Sequence, residues 1–189
     1  MIETLGALDA KLFQFLNGLH AEWFDPVMYY ASKTEAWLPL HLVLLYYIFK
    51  HHKKDAWVIL LGVALTITLA DQITSTLMKP YFARLRPSWE PALSALLHVV
   101  DGDHGGKFGF PSSHAANTFG TAMFLWLVYR PSWMVWLFLW AAFVSYSRIY
   151  LGVHYPGDII VGAIIGMCIG WALYKLTSET LRRKANANY

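Results

Sequence analysis

Several residues in this sequence have the types and spacing that phosphoryl chemistry needs. Lys79 is followed by six residues and then Arg86-Pro87; Pro111-Ser112-Ser113-His114 comes next; Ser147-Arg148 is followed by five residues, His154, three residues and Asp158. Lys79, Arg86 and Arg148 supply fixed positive charge for a multiply anionic group, and arginine suits bidentate contact with phosphate oxygens. Ser112 and Ser113 stand where a helix is expected to begin, so free backbone N–H groups and the helix dipole would draw an anion there. A neutral His154 could attack phosphorus. Asp158, in the first helical turn behind Pro156, could accept the imidazole proton and fix the tautomer. A protonated His114 could give a proton to the leaving oxygen. Singly, each has a plain structural reading, since a lone arginine at a span end snorkels to headgroups. Their joint arrangement carries the argument.

The elements that must position them are apolar. Of 189 residues, 57% are hydrophobic, 16% aromatic and only 14% charged, with a mean hydropathy of +0.39. Soluble domains carry about a quarter charged residues, so the composition belongs to a chain dissolved in lipid and excludes a soluble nucleic-acid binder. A bilayer core takes roughly 20 apolar residues in helix. Ala56–Met78 meets that length; Ala115–Tyr129 (from about Ser112), Ser132–Ser147 and Gly157–Leu176 are further candidates, and Ala36–Phe49 is a shorter one. The expectation is an all-α integral membrane bundle with about five transmembrane helices. Leu5, Leu8, Leu12, Phe15, Leu16 and Leu19 recur at helical spacing with Asp9, Lys11, Gln14 and Asn17 between them. They predict an amphipathic N-terminal helix, residues 1–22, lying on the membrane; a helix packed over the bundle end is the alternative. No basic stretch precedes an apolar core at the start, so no cleavable signal peptide is expected.

Charge placement orients the bundle. The loop Lys50, Lys53 and Lys54, the turn at Arg130, and Lys175, Arg182, Arg183 and Lys184 hold eight of the fifteen Lys and Arg, whereas Glu3, Asp9, Glu22, Asp25, Glu35, Glu90, Asp101 and Asp103 fall opposite. The C-terminal tail, residues 177–189, is therefore expected in the cytoplasm and the connection Lys79–His114 outside. Because helices alternate direction, Lys79 and Arg86, the Pro111–His114 motif, Arg148, and His154 with Asp158 must all lie at one membrane face.

This constellation resembles the type-2 phosphatidic acid phosphatase superfamily, whose pattern is K-x6-R-P, P-S-G-H and S-R-x5-H-x3-D. The outer two spacings match in full; the middle motif carries Ser113 where glycine is usual. The resemblance covers residues 56–176, the motif-bearing core of a single domain spanning 1–189. It implies His154 as nucleophile, Asp158 as its orienting partner, His114 as general acid, and Lys79, Arg86, Arg148, Ser112 and Ser113 as the phosphate cradle. Should the third position of P-S-G-H demand a positive φ, Ser113 would be strained there. The resemblance further implies a metal-independent phosphatase of an inner-membrane lipid, acting through a phosphohistidine at the outer face, with no cofactor. Undecaprenyl pyrophosphate, a lipid A phosphate and phosphatidylglycerophosphate are the implied substrates, and the short outer loop leans toward a carrier lipid. Its partners are the substrate lipid and the bilayer, not nucleic acid; the sequence leaves monomer and dimer open. Two alternatives are a vanadate-dependent haloperoxidase, whose relatives are soluble, and a non-catalytic lipid-phosphate binder or transporter, which would need only the cations.

Other features read as structural. Gly162, Gly166 and Gly170 form a small-residue stripe suited to close packing inside the bundle. Asp71 and Gln72 are expensive in lipid and should face the interior. The segment Ser88–Gly109 is expected to shape the substrate entrance; its Asp101, Asp103 and His104 read as a solvated turn rather than a metal site. The single Cys168 excludes an intrachain disulfide.

Overall fold

In lipid a chain must satisfy its backbone hydrogen bonds internally, and helices are one of the two ways to do so. The computed structural model describes residues 2–100, 102 and 104–187; Asp101 and Asp103 lie outside them. The helices are α1 (Ile2–Gly18), α2 (Asp25–Ala31), α3 (Leu38–His52), α4 (Ala56–Asp71), α5 (Lys79–Phe82), α6 (Ser113–Tyr129), α7 (Trp136–Tyr150) and α8 (Pro156–Ala187). Extended pairing among the described residues is confined to an isolated antiparallel bridge between Leu85 and Phe108. The fold is all-α, as the composition predicts.

Two helical stretches, Thr34–Phe82 and Pro156–Ala187, are long and apolar enough to cross a membrane. The first turns back at Lys53, where φ is 45°, so that Leu44 and Ile48 of α3 pack in one core with Ala56 and Ile59 of α4. Phe124 and Leu125 of α6, Leu137 of α7 and Leu173 of α8 complete that core.

Helices α6 and α8 approach each other closely. A Cβ on Gly162 would strike the carbonyl oxygen of Ser112, one on Gly166 that of Ala116, and one on Gly170 that of Gly120. The glycine stripe therefore packs inside the chain, and backbone meets backbone where a side chain would force the helices apart. At the opposite end from the motif residues, Lys184 pairs with Asp55 at 2.6 Å and the His52 ring lies 5.1 Å from that of Tyr129. The α3–α4 turn, the α6–α7 turn and the end of α8 thus share one end of the bundle. The expected tail continues α8 as helix through Ala187, a rod of roughly 48 Å at 1.5 Å per residue, and Thr177 is still buried.

α1 keeps outside the apolar stripe that the sequence assigns to the membrane, with Leu5, Leu8, Leu12, Phe15 and Leu19 exposed, and packs its other side on the bundle end through buried Phe13 and Asn17. Asn17 Nδ2 donates to the carbonyls of Tyr150 (2.8 Å) and His98 (3.1 Å), which explains a polar residue on the inner face. Gln72 is exposed instead of interior, its Oε1 accepting from Thr76 at 3.1 Å. A local side-chain bond satisfies it where it stands.

Candidate active site

The turn between α7 and α8 sets the buried histidine. Gly152, at φ 75°, makes a left-handed step that a β-carbon would disfavour, and the amides of Val153 and His154 both donate to the Arg148 carbonyl, at 3.0 and 3.2 Å. His154 Nδ1 then lies 3.2 Å from Asp158 Oδ2, with the two side chains only 1% and 0% exposed. The same carboxylate oxygen also accepts the Tyr155 amide at 3.0 Å. Burial pushes the His154 imidazole well below its ordinary value of 6.5; Arg86, Arg148 and Lys79 push the same way, and the Gly109 backbone opposes them. The ring is neutral, and with Nδ1–H on Asp158 its Nε2 carries the free lone pair.

The cations come from three further pieces of chain. α4 runs into a π-helical turn, Gln72–Met78, before α5, a local winding often found at functional sites. It brings Asp71, Ser75 and Lys79 into a line. Lys79 Nζ donates to Ser113 Oγ (2.6 Å) and to Ser75 Oγ (3.3 Å), and Ser75 Oγ donates to Asp71 Oδ1 at 3.0 Å. Arg86 is held by its own backbone, its amide donating to the Lys107 carbonyl at 3.1 Å and its Nε to the Phe108 carbonyl at 3.2 Å. Arg148 is buried in the last turn of α7.

Ser112 caps α6, and its amide donates to the Asp158 carbonyl at 3.0 Å, which locks the start of α6 to the start of α8. Ser113 is helical; the described non-glycine residues with positive φ are Lys53, Ala83 and Arg130. No left-handed strain attends the serine that replaces the usual glycine. His114, one residue on, lies within the field of Arg148, His154, Lys79 and Arg86. All eight residues singled out in the sequence therefore converge at one end of the bundle.

Three contributors escaped the sequence reading. Ser75 links Asp71 to Ser113. Arg84 donates through Nη1 to Asp158 Oδ1 at 2.8 Å and through Nη2 to Asp9 Oδ2 at 2.7 Å. Gly109 packs so closely that a Cβ there would sit 3.2 Å from Asp158 Oδ2 and 3.4 Å from His154 Nδ1. The intervening segment folds back over Arg86: Ser88 Oγ donates to the His104 carbonyl at 2.9 Å, and Trp89 Nε1 to that of Gly105 at 3.3 Å. It walls the cationic site. Among the described residues no three His, Cys, Asp or Glu side chains gather as metal ligands.

Ser113 and His114 also line the polar end of a cavity of about 580 Å³. Its body is apolar, walled by Leu38, Leu42 and Leu45 of α3, Val63 and Ile67 of α4, and Leu125 of α6.

A neutral histidine oriented by a carboxylate under three cations, at the end of an apolar helical bundle, defines a membrane-embedded phosphatase. The model of the PAP2 superfamily matches residues 55–182, and the chain belongs to that family. It is a phosphoric ester hydrolase of membrane lipids. A lipid A 4'-phosphatase of Bacteroides thetaiotaomicron is 42% identical over 186 residues, covering 97% of this chain and 83% of the relative. A lipid A 4'-phosphatase of Porphyromonas gingivalis is 35% identical, covering 93% and 75%. Among solved structures, Aquifex aeolicus LpxE superimposes with a TM-score of 0.64 at 28% identity, over 89% of this chain and 95% of that one.

Proposed function

We propose that this chain is a single-domain, metal-independent phosphatase that removes a phosphate monoester from lipid A or a closely similar saccharolipid at the periplasmic face of the inner membrane. The observation that carries the reading is the buried His154–Asp158 pair, 3.2 Å apart beneath Lys79, Arg86 and Arg148. The phosphate sits among the three cations, with Ser112 and Ser113 at its edge. His154 Nε2 attacks phosphorus while Asp158 holds the Nδ1 proton; the P–O bond to the lipid breaks, and His114 protonates the departing oxygen. Water, deprotonated by His114, then cleaves the P–N bond and frees inorganic phosphate. Five helices cross the bilayer, the basic end in the cytoplasm, and the apolar cavity beside His114 receives part of the lipid's hydrocarbon.

The short outer loop leans toward a carrier lipid, but the similarity to two lipid A 4'-phosphatases over nearly the whole chain favours the saccharolipid. Purified protein in detergent is given lipid A bisphosphate, undecaprenyl pyrophosphate and phosphatidylglycerophosphate in parallel. Phosphate release with the highest kcat/KM on lipid A, leaving the 1-phosphate in place, is the expected result. A higher kcat/KM on undecaprenyl pyrophosphate would assign the chain to carrier-lipid recycling instead.

A further inference from the structure

The catalytic carboxylate is tied to the N-terminal helix by a continuous ion relay. Asp158 spends one oxygen on His154 and the Tyr155 amide; its other oxygen, Oδ1, takes Arg84 Nη1 at 2.8 Å. The second arm of the same guanidinium reaches Asp9 Oδ2 at 2.7 Å, and its flat face lies 4.1 Å from the Tyr155 ring. Asp9 is fixed in turn, because its Oδ1 accepts the Gly157 amide at 2.8 Å. A Cβ on Gly157 would come within 2.7 Å of Asp9 Oδ2, so the contact needs glycine there. One turn along α1, buried Phe13 meets Tyr155 edge to face at 5.4 Å. Arg84 also presents its carbonyl to the Gly109 amide at 2.9 Å, holding the loop that packs on His154.

This geometry has a specific consequence. A carboxylate bonded through one oxygen can rotate about its Cβ–Cγ bond; one gripped at both oxygens cannot. Lysine in place of Arg84 would offer a point charge without the fork that spans two carboxylates. We propose that Arg84 and Asp9 are positioning residues for the hydrolytic reaction: they clamp Asp158 in the plane that orients His154, and so make α1 a working part of the catalytic centre. The outer face of α1, with Leu8, Leu12 and Phe15 exposed, then seats in lipid while its inner face holds the clamp. The proposal rests on the assignment of His154 as nucleophile and Asp158 as its partner.

The test is a mutant cycle on full-length protein in detergent, using a lipid A bisphosphate and nitrophenyl phosphate. Arg84→Gln, Asp9→Asn, Asp158→Asn and the Arg84→Gln/Asp158→Asn double variant are compared, with exposed Arg182→Gln as control. Misplacing a catalytic group by about 1 Å costs up to about 10²-fold, so Arg84→Gln is expected to lower kcat about 10- to 100-fold on both substrates with little change in KM. In the Asp158→Asn background the same substitution should add almost nothing, since residues that act as a unit are non-additive. Arg84→Lys should recover only part of the loss. Full additivity, or a loss confined to KM, overturns the proposal. Should Arg84→Gln not fold, Asp9→Asn decides: it keeps an oxygen for the Gly157 amide, and an unchanged kcat would overturn the clamp. If Asp158→Asn alone leaves kcat intact, the underlying reading of the His154 pair fails first, a result distinct from additivity.

Discussion

His154 and His114 differ in what surrounds them, and the difference predicts separate behaviour. In the step that forms the phosphoenzyme, His114 serves only the leaving oxygen, so its importance to kcat/KM scales with how poorly that oxygen leaves. General-acid help is worth about 10²–10⁴-fold; His114→Ala should lose about that on a lipid monoester and clearly less on nitrophenyl phosphate, measured as kcat/KM. Equal losses on both would remove it from the acid role. His154 carries a further signature. Its folded pKa lies well below 6.5, whereas in the unfolded chain it titrates near 6.5. Below that pH the unfolded state binds the extra proton, so this group lowers stability as pH falls, with a slope of up to about 1.4 kcal/mol per pH unit. Melting in detergent at pH 7.5 and 5.5 should therefore show a drop that shrinks in His154→Gln; an identical drop would mean the histidine is not held neutral. The motif residues were legible because local spacing and helix alternation put them at one face. Arg84 and Asp9 were not, because their contact joins positions 75 apart in sequence and depends on how α1 docks. The available signals were an extra arginine inside K-x6-R and the spacing of Asp9, Phe13 and Asn17 at every fourth residue.

The helices transmit this arrangement mainly through the α6–α8 contact, which sets Ser112 against Asp158. Gly166→Ala puts a methyl into the Ala116 carbonyl, and overpacking of that kind costs about 1–3 kcal/mol. It is expected to lower the melting temperature and to reduce activity by parting the two helix starts. Gly6→Ala, where an added Cβ meets nothing within 4 Å, should leave both unchanged; a neutral Gly166→Ala would show that the helices can separate without harm. The glycine stripe was readable from periodicity alone. The π-turn at Gln72–Met78 was not, since an extra residue per turn leaves the apolar pattern nearly intact while moving Ser75 and Lys79 toward α6. The docking face of α1 was hidden for a different reason: the apolar stripe marks the side turned to lipid, and the buried side is the one with polar partners.

Across the whole molecule, the basic turns and the end of α8 gather opposite the motif residues, and the positive-inside rule then predicts that the site faces outward. Single cysteines at Ser94 and Ala187 in a Cys168→Ala background, probed on intact cells with an impermeant thiol reagent, should label at position 94 and not at 187. The reverse pattern would move the site to the cytoplasm. The central claim, that a membrane lipid phosphate is cleaved by direct attack of His154, is tested most directly by trapping the intermediate. Purified protein mixed with lipid A labelled in its phosphate is quenched within one turnover. The expected result is an acid-labile, alkali-stable phosphohistidine carried by His154 and missing from His154→Ala, which should also show no turnover. Phosphate release by His154→Ala, or a phosphoenzyme that persists in it, would contradict the assignment.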